Sequence, residues 1–338
     1  MHHLRLGSSG LQVSRICLGT MTFGLQVDEE PSRAILDHAA DKGVTFLDVA
    51  DVYPLGGDLT TVGRTEEIVG RWLAGKRDQF VVATKCFGPT GPRRWDMGNS
   101  RRHILDAIDA SLRRLQTDFI DLYQLHFDDR GVPLDETLGA LDDLVRAGKV
   151  LYVGASNFRA YRLMKALGLS DRHGWARFAS LQPQYNLLVR TIEREHFPLA
   201  REEGVGLITW SPLAAGMLTG KITREHRPPE SRLAQRDFPL YRFYFNERAF
   251  GIVDVLKECA RETGCTPAQL ALAWQLAKPE VTAVIIGART LAQLDDNLGA
   301  TGVTVPPAVM ARLEEATRLA PEYPGAFIDF IQGWLGNR

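Results

Sequence analysis

The strongest constraint on the fold is a regular alternation of short apolar runs with segments of helical length. From Ile16 onward each run is rich in Val, Ile and Leu, and the next follows only after a stretch long enough for a helix. Strands separated in this way must be parallel, and their apolar composition indicates that helices cover them on the outside. Eight such strands can be counted along the chain.

The predicted elements follow one another in a consistent order. The strands are Ile16–Leu18, Val44–Leu47, Phe80–Lys85, Phe119–Leu125, Val150–Val153, Ala179–Leu181, Gly206–Trp210 and Ala283–Ile286. The helices are Glu29–Lys42, Thr65–Ala74, Ser100–Leu115, Leu134–Ala147, Ala160–Leu167, Ile192–Glu203, Glu247–Thr263, Pro267–Ala277, Leu291–Leu298 and Pro306–Leu319. Ahead of them, Leu4–Leu18 alternates apolar and polar residues around Gly7–Gly10, which is typical of a β-hairpin.

Eight such units close into an α/β fold of the (β/α)₈ TIM-barrel type. We expect one domain over residues 1–338, with the N-terminal hairpin capping the bottom of the barrel and long loops available to a substrate. A doubly wound sheet is the competing architecture, but its G-x-G-x-x-G motif is absent after the first strand. The segment Gly216–Lys221 has three residues between its two glycines, whereas a P-loop has four, so it is interpreted as a loop.

The composition argues against several classes of partner. With 40 basic and 41 acidic side chains the formal net charge is -1, which does not suggest a nucleic acid or a membrane surface as partner. The four cysteines form no C-x-x-C pair and have no histidine at zinc-ligand spacing, so neither a disulfide framework nor a metal site is expected. No signal peptide or membrane-spanning run is present, which predicts a cytoplasmic protein with a small-molecule ligand and leaves its oligomeric state open.

Ionisable side chains come at or next to the ends of three consecutive predicted strands. Asp48, Lys85 and His126 hold these positions, and Tyr53 follows in the loop after Asp48. Each alone has a structural explanation, as a turn residue, a solvated lysine, a buried histidine or a packing ring. Neighbouring strands lie about 4.8 Å apart and active sites of such barrels lie at the carboxyl ends of the strands, so the four can meet there.

The chemistry of this set is that of proton transfer to or from an oxygen. A phenol has a reference pKa of about 10, and an adjacent ammonium lowers it by stabilising the phenolate. Lys85 can act on Tyr53 in this way while Asp48 holds the ammonium, and His126 can orient a substrate oxygen. The four residues therefore suit reduction of a carbonyl or oxidation of an alcohol, and the hydride requires a cofactor.

These residues belong to a longer series of motifs in which the chain resembles the aldo-keto reductases over nearly its whole length. The series comprises Phe46–Tyr53, Thr84-Lys85, Leu125-His126, Gly148-Lys149, Gly154–Phe158, Gln182, Tyr185-Asn186, Trp210–Leu213, Gly287–Thr290, Gln293 and Asn297. The resemblance implies a barrel that binds NADP(H) in an extended pose without a Rossmann fold. It also implies that Asp48, Tyr53, Lys85 and His126 form the catalytic tetrad, with Tyr53 as proton donor.

The same resemblance supplies the candidate cofactor residues. Ser156, Asn157 and Gln182 match the positions that hold the nicotinamide carboxamide, and Trp210 matches the aromatic residue on which its ring stacks. Arg289 is the natural partner for a 2′-phosphate, which favours NADPH. By the same resemblance the pyrophosphate is expected to follow Ser211, Leu213, Gly216 and Lys221, and the adenosine end matches Arg289, Gln293, Asp296 and Asn297. The rest of the candidate set comprises Gly19, Thr20, Met21, Asp48, Pro212, Arg232 and Gly287. Arg232 matches a cofactor-binding arginine of the subgroup that resembles the potassium-channel beta subunits.

Departures from the family pattern lie around the pocket. Gly287 stands where the family members best known from animals carry a lysine, Val49 replaces a common threonine, and Pro54–Val62 is longer than the usual turn. Loops 86–99 and 223–246 are expected to form the remaining walls. The candidate substrate contacts are Phe23, Phe87 and Trp95. Two further groups of aromatic residues either contact the substrate or pack against the protein. They are Phe238, Tyr241, Phe243, Tyr244 and Phe245 in loop 223–246, and Phe327, Phe330 and Trp334 in the tail.

The sequence thus predicts an NADPH-dependent oxidoreductase that reduces an aldehyde or ketone to an alcohol. Two alternatives remain at this stage. A barrel enzyme could use Lys85 to form a Schiff base, and a regulatory subunit could bind the nicotinamide cofactor with slow or no turnover. The physiological substrate is left open, because sugars, aromatic aldehydes and other ketones all fit an aromatic-rimmed pocket.

Overall fold

The computed structural model is a closed barrel of eight parallel strands preceded by a two-stranded hairpin. It describes residues 1–229, 231, 233 and 241–336, without the side chains of Tyr241 and Arg242. The hairpin strands are β1 (His3–Arg5) and β2 (Gln12–Ser14). The barrel strands are β3 (Ile16–Gly19), β4 (Phe46–Asp48), β5 (Val81–Cys86), β6 (Ile120–Leu125), β7 (Val150–Ser156), β8 (Phe178–Gln182), β9 (Gly206–Thr209) and β10 (Val281–Ile286). The predicted TIM barrel and its N-terminal hairpin are confirmed.

The barrel closes in chain order, with β10 pairing to both β9 and β3. The described helices are α1 (Glu29–Asp41), α2 (Arg64–Leu73), α3 (Arg101–Leu115), α4 (Leu134–Arg146), α5 (Ala160–His173), α6 (Ile192–Glu203), α7 (Tyr241–Tyr244), α8 (Glu247–Thr263), α9 (Pro267–Leu276), α10 (Leu291–Gly299), α11 (Pro307–Ala316) and α12 (Gly325–Gly336). None of these described helices combines the length and apolar character that a bilayer-spanning segment needs.

Two apolar cores result from this arrangement. The larger one packs the outward faces of the strands against the helices, as Leu47 and Val82 do with Ile68 and Ile104. The smaller one fills the barrel interior with residues such as Cys17, Phe46, Leu122 and Ile208. Each buried aliphatic or aromatic side chain contributes about 1.5–3 kcal/mol relative to exposure, so these cores fix the scaffold that carries the loops.

The hairpin closes the end of the barrel opposite the strand carboxyl termini. Leu6 is fully buried in the interior core, and the amide of Ser8 donates to the Gly204 carbonyl at 2.7 Å, just before β9. Gly7 has φ +58°, and a Cβ added there would lie 2.2 Å from that same carbonyl oxygen. Glycine is therefore required both for the left-handed turn and for the close approach of the two chain segments.

Several predicted strands end too early. The second runs over Phe46–Asp48 rather than Val44–Leu47, so Asp48 lies within the ladder, aligned with Gly19 and Ala83. β7 and β8 extend to Ser156 and Gln182, past the predicted ends at Val153 and Leu181. The reason is that the backbone ladder continues after the apolar run stops, which carries polar side chains to the carboxyl edge of the barrel.

The C-terminal tail forms a helix that the sequence analysis did not delimit. The predicted final helix ends at Ala316 rather than Leu319, and α12 follows over Gly325–Gly336. Phe327, Phe330 and Trp334 are each at least half exposed, so they contribute little to the core. Elsewhere, the loop containing Gly216 forms a 3₁₀ helix over Ala214–Thr219 in which three residues are left-handed.

Candidate active site

A buried ion pair lies at the centre of the carboxyl face of the barrel. Lys85, near the end of β5, donates from Nζ to Asp48 Oδ1 at 2.5 Å and to the Val49 carbonyl at 2.7 Å. The lysine side chain is fully buried and that of Asp48 is 4% exposed. The two residues meet because β4 and β5 are paired neighbours, as the strand order predicted. A buried charge of this kind is stable only when paired and hydrogen-bonded, and both conditions are met.

Tyr53 reaches the pair from the loop after β4. Lys85 Nζ lies 3.5 Å from the Tyr53 hydroxyl and 4.9 Å from the centre of its ring. Burial acts to lower the pKa of Lys85, but the charge of Asp48 and the Tyr53 oxygen act in the opposite direction and the net pKa is raised. Lys85 is therefore a permanent ammonium at neutral pH, and it stabilises negative charge on the phenol oxygen.

His126 completes the group at the end of β6. Its amide donates to the Cys86 carbonyl at 3.0 Å, and its ring meets that of Tyr53 edge-on with centroids 5.9 Å apart. Desolvation and the nearby charge of Lys85 lower the pKa of His126 from 6.5 to about 3. The imidazole is thus neutral at working pH, and one ring nitrogen can donate to a substrate oxygen without carrying charge.

The depressed pKa of His126 predicts a specific loss of stability in acid. The folded protein cannot protonate this ring above about pH 3, whereas the unfolded chain takes up the proton below its ordinary pKa of 6.5. Stability is therefore present above pH 6.5 and lost as the pH falls. From pH 7 to pH 5 the loss is about 1–2 kcal/mol, since the ring keeps an edge near solvent.

Urea unfolding of the wild type and His126→Gln at the two pH values checks this, because other groups cancel between the proteins. The His126→Gln variant should lose about 1–2 kcal/mol less than the wild type over this range. Equal losses in the two proteins would mean that His126 titrates normally in the fold.

The candidate nicotinamide residues form one connected network next to the tetrad. Gln182 Nε2 donates to Asp48 Oδ2 at 2.7 Å, so Asp48 is bound by both Lys85 and Gln182. Ser156 Oγ donates to the Gln182 carbonyl at 2.8 Å. The side-chain amide of Asn157 donates to the His126 carbonyl at 3.0 Å and accepts from the Trp210 indole at 3.1 Å. The structure therefore joins all four predicted residues, Ser156, Asn157, Gln182 and Trp210, to the candidate tetrad.

The predicted phosphate segment has an unusual backbone. Ser211, Ala214, Ala215 and Gly216 all have left-handed φ values, between 51° and 97°. A left-handed conformation costs an L-residue about 1 kcal/mol, and clusters of such residues are typical of functional loops that turn backbone amides towards an anion. Pro212 is buried and Leu213 is half-buried in the same segment. Lys221 is exposed beyond it, and Arg232 lies outside the described residues.

The predicted adenosine end lies on the loop after β10 and on α10. Gly287 and Arg289 are exposed, and the Arg289 amide donates to Gln293 Oε1 at 2.9 Å. Asn297 Nδ2 donates to the Gly287 carbonyl at 3.2 Å, and Asp296 accepts from Thr266 Oγ1 at 2.8 Å. The five residues thus lie on the loop after β10 and along α10, and their role at the adenosine end stays a prediction.

Gly19, Thr20 and Met21 border Asp48 and the loop after it. The Thr20 hydroxyl donates to the Asp48 carbonyl at 2.8 Å, and the Met21 carbonyl accepts from the Leu55 amide at 2.9 Å. A Cβ at Gly19 would lie 2.7 Å from the side chain of Ile285, so a larger residue would displace the barrel wall. The insertion Pro54–Val62 is therefore attached to the candidate cofactor segment through Met21.

The predicted substrate contacts occupy different surroundings. Phe87 packs on Phe127 with ring centroids 5.3 Å apart, and Phe127 stacks on His126 at 4.9 Å. Phe23 is fully buried in the larger core, and Trp95 contacts the guanidinium groups of Arg93 and Arg102. In the aromatic group of loop 223–246, Phe243 is exposed, Tyr244 is fully buried and Phe245 packs on Phe250. Phe238 lies outside the described residues.

Phe127 was missed by the sequence analysis, although its position directly after His126 could have indicated it. Its ring lies between those of His126 and Phe87, so that Tyr53, His126, Phe127 and Phe87 form a continuous series of ring contacts. The ring is 45% exposed, so it offers an apolar face next to the tetrad.

The closed β/α barrel thus carries a buried Lys–Asp pair, a loop tyrosine and a neutral histidine at its carboxyl face. A family model described as "Aldo/keto reductase family" matches residues 15–318, and the chain belongs to this family. The expected resemblance is thereby confirmed.

Individual relatives agree with this assignment over nearly full length. The chain is 38% identical over 326 residues to the "Uncharacterized oxidoreductase YrpG" of Bacillus subtilis, covering 93% of this chain and 95% of that protein. It is 37% identical over 336 residues to a "Probable voltage-gated potassium channel subunit beta" of Arabidopsis thaliana, covering 97% and 100%. It is 35% identical over 357 residues to the "Versiconal hemiacetal acetate reductase" of Aspergillus parasiticus, covering 96% and 99%. The family and these names support a general oxidoreductase.

Proposed function

We propose that the protein is an NADPH-dependent reductase that converts an aldehyde or ketone to the alcohol, with Tyr53 as proton donor. The observation that carries the proposal is the position of Lys85. Its ammonium is buried against Asp48 at 2.5 Å and lies 3.5 Å from the Tyr53 hydroxyl. No water surrounds the buried ammonium to screen its charge, so its positive potential stabilises the phenol oxygen when the proton leaves.

The residues present fit a nicotinamide dinucleotide. Trp210 has its indole fixed by Asn157, the left-handed segment 211–216 suits an anion, and Arg289 offers a planar guanidinium for a phosphate. Ser156 and Gln182 supply hydroxyl and amide groups that match a carboxamide, which needs both donors and acceptors. When bound, NADPH supplies the hydride that none of the four tetrad residues can provide.

The tetrad then performs two tasks. Tyr53 donates its proton to the substrate oxygen, and the phenolate that forms is stabilised by Lys85. His126 is neutral, so its ring N–H can hydrogen-bond the same oxygen and fix its direction without competing as an acid. Asp48 and Gln182 keep the ammonium in place, because Asp48 is bound from both sides.

NADPH consumption over a broad panel of aldehydes and ketones tests the proposal. We expect loss of the reduced-cofactor absorbance with at least one class of carbonyl and formation of the matching alcohol. The Schiff-base alternative makes a different prediction, namely covalent trapping of Lys85 by borohydride with a carbonyl substrate. The raised pKa of Lys85 disfavours it, since a Schiff-base lysine must react as the neutral amine.

A second candidate function is a nicotinamide-sensing regulatory subunit. The full-length similarity to a probable potassium channel subunit beta favours it, because such a protein could keep the same cofactor site. The two functions separate experimentally, since the sensor would bind NADPH tightly, turn over slowly or not at all, and copurify with a stable protein partner.

Arg289 should determine the coenzyme preference. Arg289→Ala is expected to weaken NADPH binding by about 10–100-fold, because a charge-assisted hydrogen bond to a phosphate contributes about 1.5–3 kcal/mol. Binding of NADH, which lacks the 2′-phosphate, should stay within about twofold. Arg289→Lys keeps the charge without the planar fork and should lie between the two. Titration of the protein with each coenzyme measures these affinities, and equal losses for NADPH and NADH would remove Arg289 from the 2′-phosphate site.

A further inference from the structure

Tyr244 is a fully buried tyrosine whose hydroxyl lies among polar side chains rather than apolar ones. It ends the four-residue helix α7, two residues before Asn246 caps α8. Its hydroxyl contacts Ser211 Oγ at 3.1 Å, accepts from Asn186 Nδ2 at 3.3 Å and also accepts from the side-chain amide of Gln184. Packing alone does not require this oxygen, because a phenylalanine ring would fill the same space.

Ser211 is held from two sides as a result. Asn186 Nδ2 donates to the Ser211 carbonyl at 2.9 Å, while Tyr244 contacts the Ser211 hydroxyl. Asn186 is itself fixed, because its Oδ1 accepts from the amides of Leu188 and Val189 at 2.9 and 3.0 Å. The carbonyl and the hydroxyl of Ser211 are thus positioned by side chains distant in sequence.

Ser211 is also a strained residue at the start of the left-handed segment. Its φ is 55°, which an L-residue adopts only when its surroundings impose it. The contacts from Asn186 and Tyr244 are the surroundings that do so. Burial raises the pKa of Tyr244, so the phenol keeps its proton and remains able to exchange hydrogen bonds with Ser211 at all working pH values.

We propose that Tyr244 is a positioning residue that sets the hydroxyl rotamer and backbone of Ser211 for the phosphates of the bound dinucleotide. The inference rests on the proposed function, in which the segment 211–216 meets those phosphates. Tyr244 would not touch the cofactor, and its effect passes through Ser211. It would therefore alter cofactor affinity and leave the proton-transfer step at the tetrad unchanged.

The test compares Tyr244→Phe with a matched control. Tyr185 is also a fully buried tyrosine, and its hydroxyl donates to Glu193 rather than to the Ser211 segment. We expect Tyr244→Phe to raise the Kd and KM for NADPH about tenfold, with kcat at saturating NADPH within about twofold of wild type. Tyr185→Phe should leave the NADPH Kd within about twofold, so loss of stability alone would not explain the result.

A double-mutant cycle shows whether the effect passes through Ser211. Ser211→Ala should itself weaken NADPH about tenfold, and Tyr244→Phe combined with Ser211→Ala should bind no more weakly than Ser211→Ala alone. Additive losses would overturn the proposed route. If Tyr244→Phe does not yield folded protein, Gln184→Leu removes one partner of the same hydroxyl and should raise the Kd about two- to fivefold; an unchanged Kd would overturn the inference.

The outcomes also separate this inference from the proposed function. If Ser211→Ala weakens NADPH while Tyr244→Phe does not, the cofactor site stands and Tyr244 has only a packing role. If the wild-type protein does not bind NADPH at all, the proposed function fails and the inference fails with it.

Discussion

Replacing Tyr53 by phenylalanine should lower kcat/KM for carbonyl reduction by about 10²–10⁴-fold, the range that a general acid contributes. The substitution removes only the oxygen that lies 3.5 Å from Lys85 Nζ. The remaining tetrad can still orient a carbonyl, but it has no acid of suitable strength, since His126 is neutral and Lys85 is held by Asp48. Affinity for NADPH should stay within about twofold of wild type.

Steady-state kinetics and NADPH titration of the same preparations measure the two quantities. Tyr161→Phe is the matched control, because Tyr161 lies on α5 and is 57% exposed, and it should behave as wild type in both measurements. If Tyr53→Phe kept more than a tenth of the wild-type kcat/KM, a group other than Tyr53 would be the proton donor.

Replacing Lys85 by methionine should abolish reduction and also destabilise the protein by about 3–5 kcal/mol. The Asp48 carboxylate would remain buried with the amide of Gln182 as its principal polar partner, at 2.7 Å. Because this hydrogen bond survives, we expect the loss of unfolding free energy to fall near the lower end of that range. Urea unfolding at pH 7 measures it.

The double variant Asp48→Asn with Lys85→Met separates stability from catalysis. It removes both buried charges and should recover most of the lost unfolding free energy, because an uncompensated charge no longer remains. Activity should stay absent, since nothing would stabilise the phenolate of Tyr53. Recovery of activity in the double variant would show that the ammonium is dispensable for the proton transfer.

The barrel was predictable because each strand is a short apolar run and each crossover is long enough for a helix. The strand ends were not, since a ladder continues beyond the apolar residues that reveal it. Ser156 and Gln182 close β7 and β8 for this reason, although the apolar runs stop at Val153 and Leu181. Helix α12 was not predicted because its apolar side chains are exposed. A periodic sequence pattern reveals a helix only when one face of that helix is buried.

The proximity of Asp48 and Lys85 could be predicted from topology alone. Asp48 and Lys85 lie on adjacent parallel strands, so their proximity follows from strand order. The contacts of Tyr244 with Ser211 and of Phe127 with His126 could not be deduced in this way, because they depend on how individual side chains and loops pack. The Arg232 assignment stays a prediction, because that residue lies outside the described part of the chain.

The most direct test of the central claim is transfer of hydride from NADPH to a carbonyl carbon. The protein would be incubated with NADPH carrying deuterium at the transferring carbon and with each carbonyl that consumes cofactor, and the alcohol analysed by mass spectrometry. We expect one deuterium on the carbinol carbon, with the labelled alcohol formed about 10²–10⁴-fold more slowly by Tyr53→Phe than by the wild type. Tight NADPH binding without any labelled alcohol across the panel would contradict the reductase and leave the cofactor-binding regulatory subunit.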